Sequence, residues 1–357
     1  MNHEDPVLLH TQGRVRHLIL NRPRALNALN HAMVVRVDEA LAGAERDDSI
    51  TAVLITGAGE RGLCAGGDIR SIHDDARAGG GTSLDFWRDE YRLNARIARF
   101  PKPYVAIMDG IVMGGGVGIS AHGDIRVVTE RSRIAMPETG IGFVPDVGGT
   151  HLLGAAPGEL GIHLALTADA VGAADALLCG LADHFVPSQR LAGLTAALAD
   201  CGTAAEIEET VRRYASPAPQ GELAAHREWI DSCYRADTVE EIIDRLDRSG
   251  VPAAKEAAEA ILGKSPTALK VTLSALRRAR GLGSLEAVLD QEYRTSCTAF
   301  TRPDLVEGVR AQIIDKDRDP RWSPASLAEV TEADVALFFA PLGDRELGLT
   351  AAPGATA

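Results

Sequence analysis

The stretch Tyr104-Val105-Ala106-Ile107-Met108-Asp109-Gly110-Ile111-Val112-Met113-Gly114-Gly115-Gly116-Val117-Gly118-Ile119-Ser120-Ala121 decides how the rest of the chain is read. Its first five residues form an unbroken apolar run just after Pro101 and Pro103, which suits a strand buried on both faces. Glycines at 110 and 114–116 follow, then a short apolar helix through about Ala121. The same order stands earlier: residues 52–56 are a second apolar strand, and residues 57–67 hold glycines at 57, 59, 62, 66 and 67. Glycine lets a backbone approach a ligand closely, and a helix N-terminus leaves N–H groups unpaired. Two such amides aimed at one spot would hold the negative charge developing on a carbonyl oxygen. The candidate segments are Cys64-Ala65-Gly66-Gly67-Asp68 and Met113-Gly114-Gly115-Gly116-Val117, with ligand-free tight turns as the alternative.

Working outward, residues 7–10 and 15–20 read as a hairpin around Thr11-Gln12-Gly13, and Asn21-Arg22-Pro23 ends the second strand. Asn30 suits a helix N-cap, with Met33, Val37, Ala40, Leu41 and Ala44 at helical spacing behind it. Residues 84–99 suit a helix, and 125–129 and 133–136 suit strands, so the repeating order is strand, strand, helix. Beyond about 150 the pattern is helical near 158–167, 172–179, 188–200, 204–214, 221–230, 238–248, 252–262, 265–280, 284–297 and 303–313. His184-Phe185-Val186 is the one strand candidate there. Pro217 and Pro219 mark a linker. Residues 343–357 are poor in large apolar side chains, which predicts a frayed end.

The chain has 357 residues, 37 Lys+Arg against 50 Asp+Glu, and a net charge of −13, which argues against a general nucleic-acid binder. No apolar run is long enough for a membrane span. The start, Met1-Asn2-His3-Glu4-Asp5-Pro6, resembles neither a secretory signal nor an Arg-rich transit peptide. Cysteines 64, 179, 201, 233 and 297 are odd in number and lack a CxxC pair, as expected of reduced thiols in a cytoplasmic protein.

Other chemistries leave weaker traces. Gly116-Val117-Gly118-Ile119-Ser120-Ala121 fits GxGxxA, with Glu138 lying 20 residues past Gly118, but that glutamate follows Pro137 in a loop-like stretch instead of ending a strand. Ser120 misses the GxSxG elbow because His122 replaces the last glycine, and neither HExxH nor GxxxxGK[ST] occurs. More informative is Met136-Pro137-Glu138-Thr139-Gly140-Ile141-Gly142-Phe143-Val144-Pro145-Asp146-Val147-Gly148-Gly149, which sets two carboxylates eight apart in an apolar loop. An acid among apolar groups has a raised pKa suited to general acid–base work. Helix capping or pairing with arginine is the alternative for both.

These segments together carry a resemblance. Leu20-Asn21-Arg22-Pro23 with Ala25-Leu26-Asn27-Ala28-Leu29, the Cys64–Asp68 loop, and Asp109-Gly110 through Gly116 resemble the crotonase (enoyl-CoA hydratase/isomerase) superfamily over about residues 7–190. Within it, the chain is similar to the 3-hydroxyisobutyryl-CoA hydrolase subgroup. The marks are Asp89-Glu90-Tyr91-Arg92-Leu93-Asn94, the run at 114–120, Pro-Glu-Thr…Pro-Asp-Val-Gly-Gly at 137–149, and Glu307-Gly308-Val309-Arg310-Ala311 through Pro320-Arg321-Trp322.

The resemblance implies an α/β fold, a crotonase-like spiral of ββα units with a helical C-terminal region. It divides the chain into an acyl-CoA-binding core at 1–200, a helical region at 201–330 and a tail at 331–357. It implies that the amides of Gly67 and Gly115 hold a thioester oxygen. It implies that Arg24, Ala25, Leu26, Ala65, Gly67 and Asp68 bind CoA, and that Glu138 and Asp146 are the catalytic acids. Glu90, Gly115, Glu138 and Asp146 would contact the substrate. Glu138 would activate water or attack the carbonyl itself, and Asp146 would orient the water or the substrate hydroxyl. Typical hydratases of this superfamily place a second glutamate two residues after the glycine triplet; here that residue is Gly118, a loss that could cost hydration ~10²–10⁴-fold. The expected reaction is therefore hydrolysis of a short branched β-hydroxyacyl-CoA, as in valine breakdown, with a related hydratase/isomerase reaction or a non-catalytic acyl-CoA-binding role as alternatives. No metal or resident cofactor, no nucleic-acid or membrane partner, and a homotrimer or hexamer complete the expectation.

Overall fold

The computed structural model describes residues 5–350. The chain forms two compact units, each assembled from separated segments: 1–68, 93–135 and 170–224 make the first; 69–92, 136–169 and 225–357 make the second. These boundaries do not coincide with the 1–200, 201–330 and 331–357 segments read from sequence. Composition changes along the chain, whereas units are defined by packing of distant segments.

The first unit carries the nine strands found among the described residues. β1 (Val7–Gln12), β2 (Val15–Leu20), β3 (Ala52–Gly57), β5 (Tyr104–Met108), β7 (Ile125–Val128) and β9 (His184–Phe185) form a six-stranded sheet in that order, antiparallel only at the β1–β2 hairpin. β4 (Gly62–Cys64), β6 (Ile111–Met113) and β8 (Arg133–Ala135) form a smaller parallel sheet. From β3 onward, the pairs β3/β4, β5/β6 and β7/β8 each give their first member to the large sheet and their second to the small one, the expected ββα spiral. One face of the large sheet, with Ala52, Leu54, Val105, Ile107 and Val127, packs on Leu194, Leu198, Ile207 and Val211 of the helices Leu191–Ala199 and Ala204–Tyr214. The helix His31–Arg46 buries Met33, Val37, Ala40, Leu41 and Ala44, and Asn30 caps it by accepting from the Met33 amide at 3.0 Å.

The hairpin turn is tighter than read from sequence: the ladder runs out to Gln12↔Val15. Gly13 has φ +57°, and a Cβ there would lie 1.9 Å from the Ala199 carbonyl oxygen, so glycine is required on two counts. β4 and β6 were not legible because they are three-residue strands embedded in the glycine clusters, where propensity argues for loop.

The second unit is helical. Its elements include Ile69–Ala78, Gly149–Gly154, Leu160–Thr167, Val239–Arg248, Pro252–Leu262, Pro266–Leu282, Leu285–Phe300, Pro303–Val309 and Glu332–Leu337. The first, second and last of these were not read from sequence. The helix Thr82–Ala98 runs across the boundary at 92/93.

The expected frayed end is corrected for 343–350. Leu347 is buried, Arg294 pairs with Glu346 at 2.9 Å, Arg88 donates to the carbonyls of Arg345 and Glu346, and Asp290 accepts the amides of Leu349 and Thr350. Polar pairing anchors this segment where apolar content predicted none. Residues 1–4 and 351–357, the outer parts of both terminal readings, lie outside the described residues.

Candidate active site

In the first unit the two glycine loops lie against each other. A Cβ on Gly116 would stand 2.3 Å from the Cys64 carbonyl oxygen, and one on Gly66 would stand 3.2 Å from the Met113 carbonyl oxygen and 3.7 Å from the Gly115 nitrogen. The amides are aimed by their neighbours. Leu29 bridges Gly67 in parallel fashion, donating to the Gly66 carbonyl at 2.8 Å and accepting from the Asp68 amide at 2.7 Å. In such a bridge the middle residue turns its own N–H to the other side. Gly115 opens the helix Gly115–Gly118, with Gly114 as an uncapped N-cap at φ 48°. The first amides of a helix have no partner within it. Two backbone amides thus stand in neighbouring loops.

The expected CoA-binding segment adjoins them. Pro23–Ala25 is a short 3-10 turn, and Leu26 follows with φ 53°. The Leu26 carbonyl accepts from the Ala65 amide at 3.0 Å, which ties the two halves of the predicted set together. Arg24 and Ala25 are exposed. Asp68 is paired with Arg22 at 2.9 Å, so its carboxylate closes this loop.

The acids gather in the second unit. Helical spacing puts Phe86, Trp87, Glu90 and Tyr91 on one buried stripe of the helix Thr82–Ala98. Trp87 stacks on Phe143 at 5.2 Å and meets Phe300 edge-on at 5.7 Å, fastening that helix to the 143–148 loop and to the helix Leu285–Phe300. Phe143 is thereby an anchor between the helix and its loop. Glu138 opens a 3-10 turn, Glu138–Ile141. Asp146 precedes Val147 (φ 54°) and Gly148 (φ 79°), two left-handed residues that turn the chain sharply into the helix Gly149–Gly154. Tyr91 donates to Asp146 Oδ2 at 2.6 Å.

Glu90, Glu138 and Asp146 are each no more than 5% exposed. Burial first, and then the charge of Asp146, hold the Glu90 and Glu138 carboxyls well above the usual carboxylate range. Burial pushes Asp146 up to about 7 against the Tyr91 hydrogen bond, which favours its charged form. Glu90 Oε1 and Glu138 Oε2 are buried without a hydrogen-bond partner among the described residues. Buried carboxyl oxygens left without donors are costly in a structural role and suit groups that meet a ligand.

Sequence reasoning missed Glu292. It is fully buried in the helix Leu285–Phe300, and it accepts from the Gly148 amide at 2.6 Å, the Thr150 amide at 2.8 Å and the Thr150 hydroxyl at 2.6 Å. It therefore caps the helix following Asp146 and fixes the turn that carries it. Burial pushes Glu292 up to about 8, against those three donors. The available signal was a glutamate in register with Val288, Leu289 and Ser296 on the buried face. Lys270 pairs with Glu240 at 2.7 Å and donates to the Val330 carbonyl at 3.0 Å.

The enoyl-CoA hydratase/isomerase family pattern matches residues 15–339. The chain belongs to this family. A curated relative, the mitochondrial 3-hydroxyisobutyryl-CoA hydrolase of Rattus norvegicus, is 42% identical over 96% of this chain and 90% of its own. A solved carnitinyl-CoA dehydratase from Mycobacterium thermoresistibile is 53% identical, with a TM-score of 0.93 over 98% of this chain and 100% of its own. An enoyl-CoA hydratase from Rhodobacter sphaeroides is 44% identical, with a TM-score of 0.89 over 96% and 99%. The crotonase-type fold is therefore shared across relatives carrying three different activity names. Residues at the site must choose among them.

Among the described residues no group of three or more His, Cys, Asp or Glu is arranged to hold a metal ion, and no helix is long and apolar enough to cross a membrane.

Proposed function

We propose that this enzyme hydrolyses a short branched β-hydroxyacyl-CoA thioester, with 3-hydroxyisobutyryl-CoA, the substrate in the rat relative's name, as the leading candidate. The observation that carries this reading is a chain with glycine at 118 and two buried carboxyls at Glu138 and Asp146. A hydratase working through a glutamate at 118 has nothing there, whereas the acids needed for thioester cleavage are present.

In this reading the Gly67 and Gly115 amides hold the thioester oxygen and stabilise the negative charge it acquires as the carbonyl carbon is attacked. Glu138 takes a proton from the attacking water and passes it to the departing CoA sulfur, or attacks the carbonyl carbon itself to give an anhydride that water then hydrolyses; in either route the C–S bond breaks, CoA leaves as its thiol and the free acid is released. Either route needs Glu138 ionised, and the buried setting makes that anion poorly solvated and reactive. Asp146 orients the water or the substrate hydroxyl, and Glu90 reads the β-hydroxyl. Arg24, Ala25, Leu26, Ala65 and Asp68 border the CoA. The reaction so written calls for no metal or redox cofactor. We place the enzyme in valine breakdown, in the cytoplasm, as a trimer or hexamer. Five buried thiols in no disulfide suit a reducing compartment, while the rat relative's name places that protein in mitochondria.

The two solved relatives named dehydratase and hydratase favour a second reading, addition or loss of water at a CoA-bound double bond. Incubation with 3-hydroxyisobutyryl-CoA separates the two. Rapid thiol release that Glu138→Gln lacks, with CoA affinity retained, supports hydrolysis. Full activity in Glu138→Gln, or a change in enoyl absorbance without thiol, overturns it.

A further inference from the structure

Tyr91 has no part in the chemistry above, yet its hydroxyl is fully buried and doubly engaged. It lies 2.6 Å from Asp146 Oδ2 and 2.7 Å from Ser296 Oγ. A phenol has one proton to give. The carboxylate can only accept it when ionised, so the Ser296 hydroxyl must donate to the Tyr91 oxygen. The result is a directed chain, Ser296 to Tyr91 to Asp146, in which each donor strengthens the next. The ring is held by Tyr293 edge-on at 6.1 Å, leaving the hydroxyl little freedom to swing away.

We infer that Tyr91, backed by Ser296, is a positioning residue that supports the carboxylate form of Asp146 and fixes it in one orientation for the reaction. The inference rests on the hydrolase reading for the word reaction, but its geometry does not. The titratable groups facing Asp146 are Glu90 and Tyr91 from the helix Thr82–Ala98, Glu138 from its 3-10 turn, and Glu292 from the helix Leu285–Phe300. Three of these are acids, so every neighbouring charge opposes ionisation of Asp146. Tyr91 supplies the side-chain donor that favours it. Glu90 Oε1 and Glu138 Oε2 have no comparable donor.

Losing a hydrogen bond to a charged group moves its ionisation by about one to two pH units. Tyr91→Phe keeps the ring and removes only the donor. The acidic limb of its kcat/KM profile is expected to move upward by about one unit, a loss of about tenfold below the limb and much less above it. Ser296→Ala should move the limb in the same direction by a smaller amount. A uniform loss across all pH values, with the limb unmoved, would show a merely structural tyrosine and overturn the inference.

A second measurement stands apart from the assigned reaction: the Asp146 carboxyl carbon followed by ¹³C NMR in ligand-free protein, with Asp146→Asn identifying its signal. Titration at higher pH in Tyr91→Phe supports the inference, and identical titration in both proteins refutes it. If no acyl-CoA releases thiol with the wild type, the hydrolase reading fails while the NMR result still decides the role of Tyr91.

Discussion

Glu292→Gln separates two opposing forces on one buried carboxyl. Its two oxygens accept three hydrogen bonds from Gly148 and Thr150, yet burial pushes its ionisation from 4.5 up to about 8. A carboxyl with a raised folded-state pKa stabilises the fold while protonated. That contribution is complete below the unfolded value near 4.5 and is lost as pH rises through about 8. At ~1.4 kcal/mol per pH unit, the window of three and a half units is worth at most about 5 kcal/mol.

Glutamine cannot ionise, so the variant lacks this slope. It does lose one acceptor, because an NH₂ group then faces the Gly148 or the Thr150 amide, at a cost of ~1–3 kcal/mol. The variant should therefore be less stable than wild type at pH 5, with the gap closing and reversing by pH 9. Urea midpoints of both proteins at half-unit pH steps provide the measurement. Taking the difference removes the contributions of acids remote from Glu292 that both proteins share. A gap that stays constant, or widens as pH rises, would show that the three donors outweigh burial and would refute the reasoning.

Two further outcomes are expected. Gly115→Pro removes a single N–H at the first helical position, where proline is otherwise accommodated, so turnover should fall about 10²–10³-fold while the thermal midpoint changes little; wild-type kinetics in this variant would exclude Gly115 as an oxyanion donor. Asn30→Ala should cost ~1 kcal/mol in unfolding free energy by loss of the cap on Met33 N, with kcat/KM unchanged, and an unaltered urea midpoint would count against that cap.

β3 and β5 were legible as short apolar runs next to glycine or proline, and the C-terminal helices because their apolar spacing repeats over several turns. The elements that escaped are short or atypical. β4 and β6 have three residues each and draw their structure from neighbouring strands. The helix Gly149–Gly154 begins and ends on glycine and depends on Glu292, far away in sequence, for its N-terminal acceptors. The 343–350 segment is held by pairs such as Arg294–Glu346, which no local pattern announces.

The site divides in the same way. The Gly67 and Gly115 loops and the acids Glu138 and Asp146 stand out in sequence as glycine clusters after buried strands and as carboxylates in an apolar loop, whereas Glu90, on the helix Thr82–Ala98, and the individual roles come from the family resemblance. The sequence alone thus determined the fold class and the family resemblance, and it singled out the candidate groups. Only the tertiary structure decided the state of those groups. Burial sets the state of Glu138, while the Tyr91 hydroxyl on Asp146 and the Glu292 carboxyl beneath the turn come from segments 55 and 144 residues away from their partners. The free energy of a charge depends on what surrounds it in space, and spacing along a chain carries no record of that.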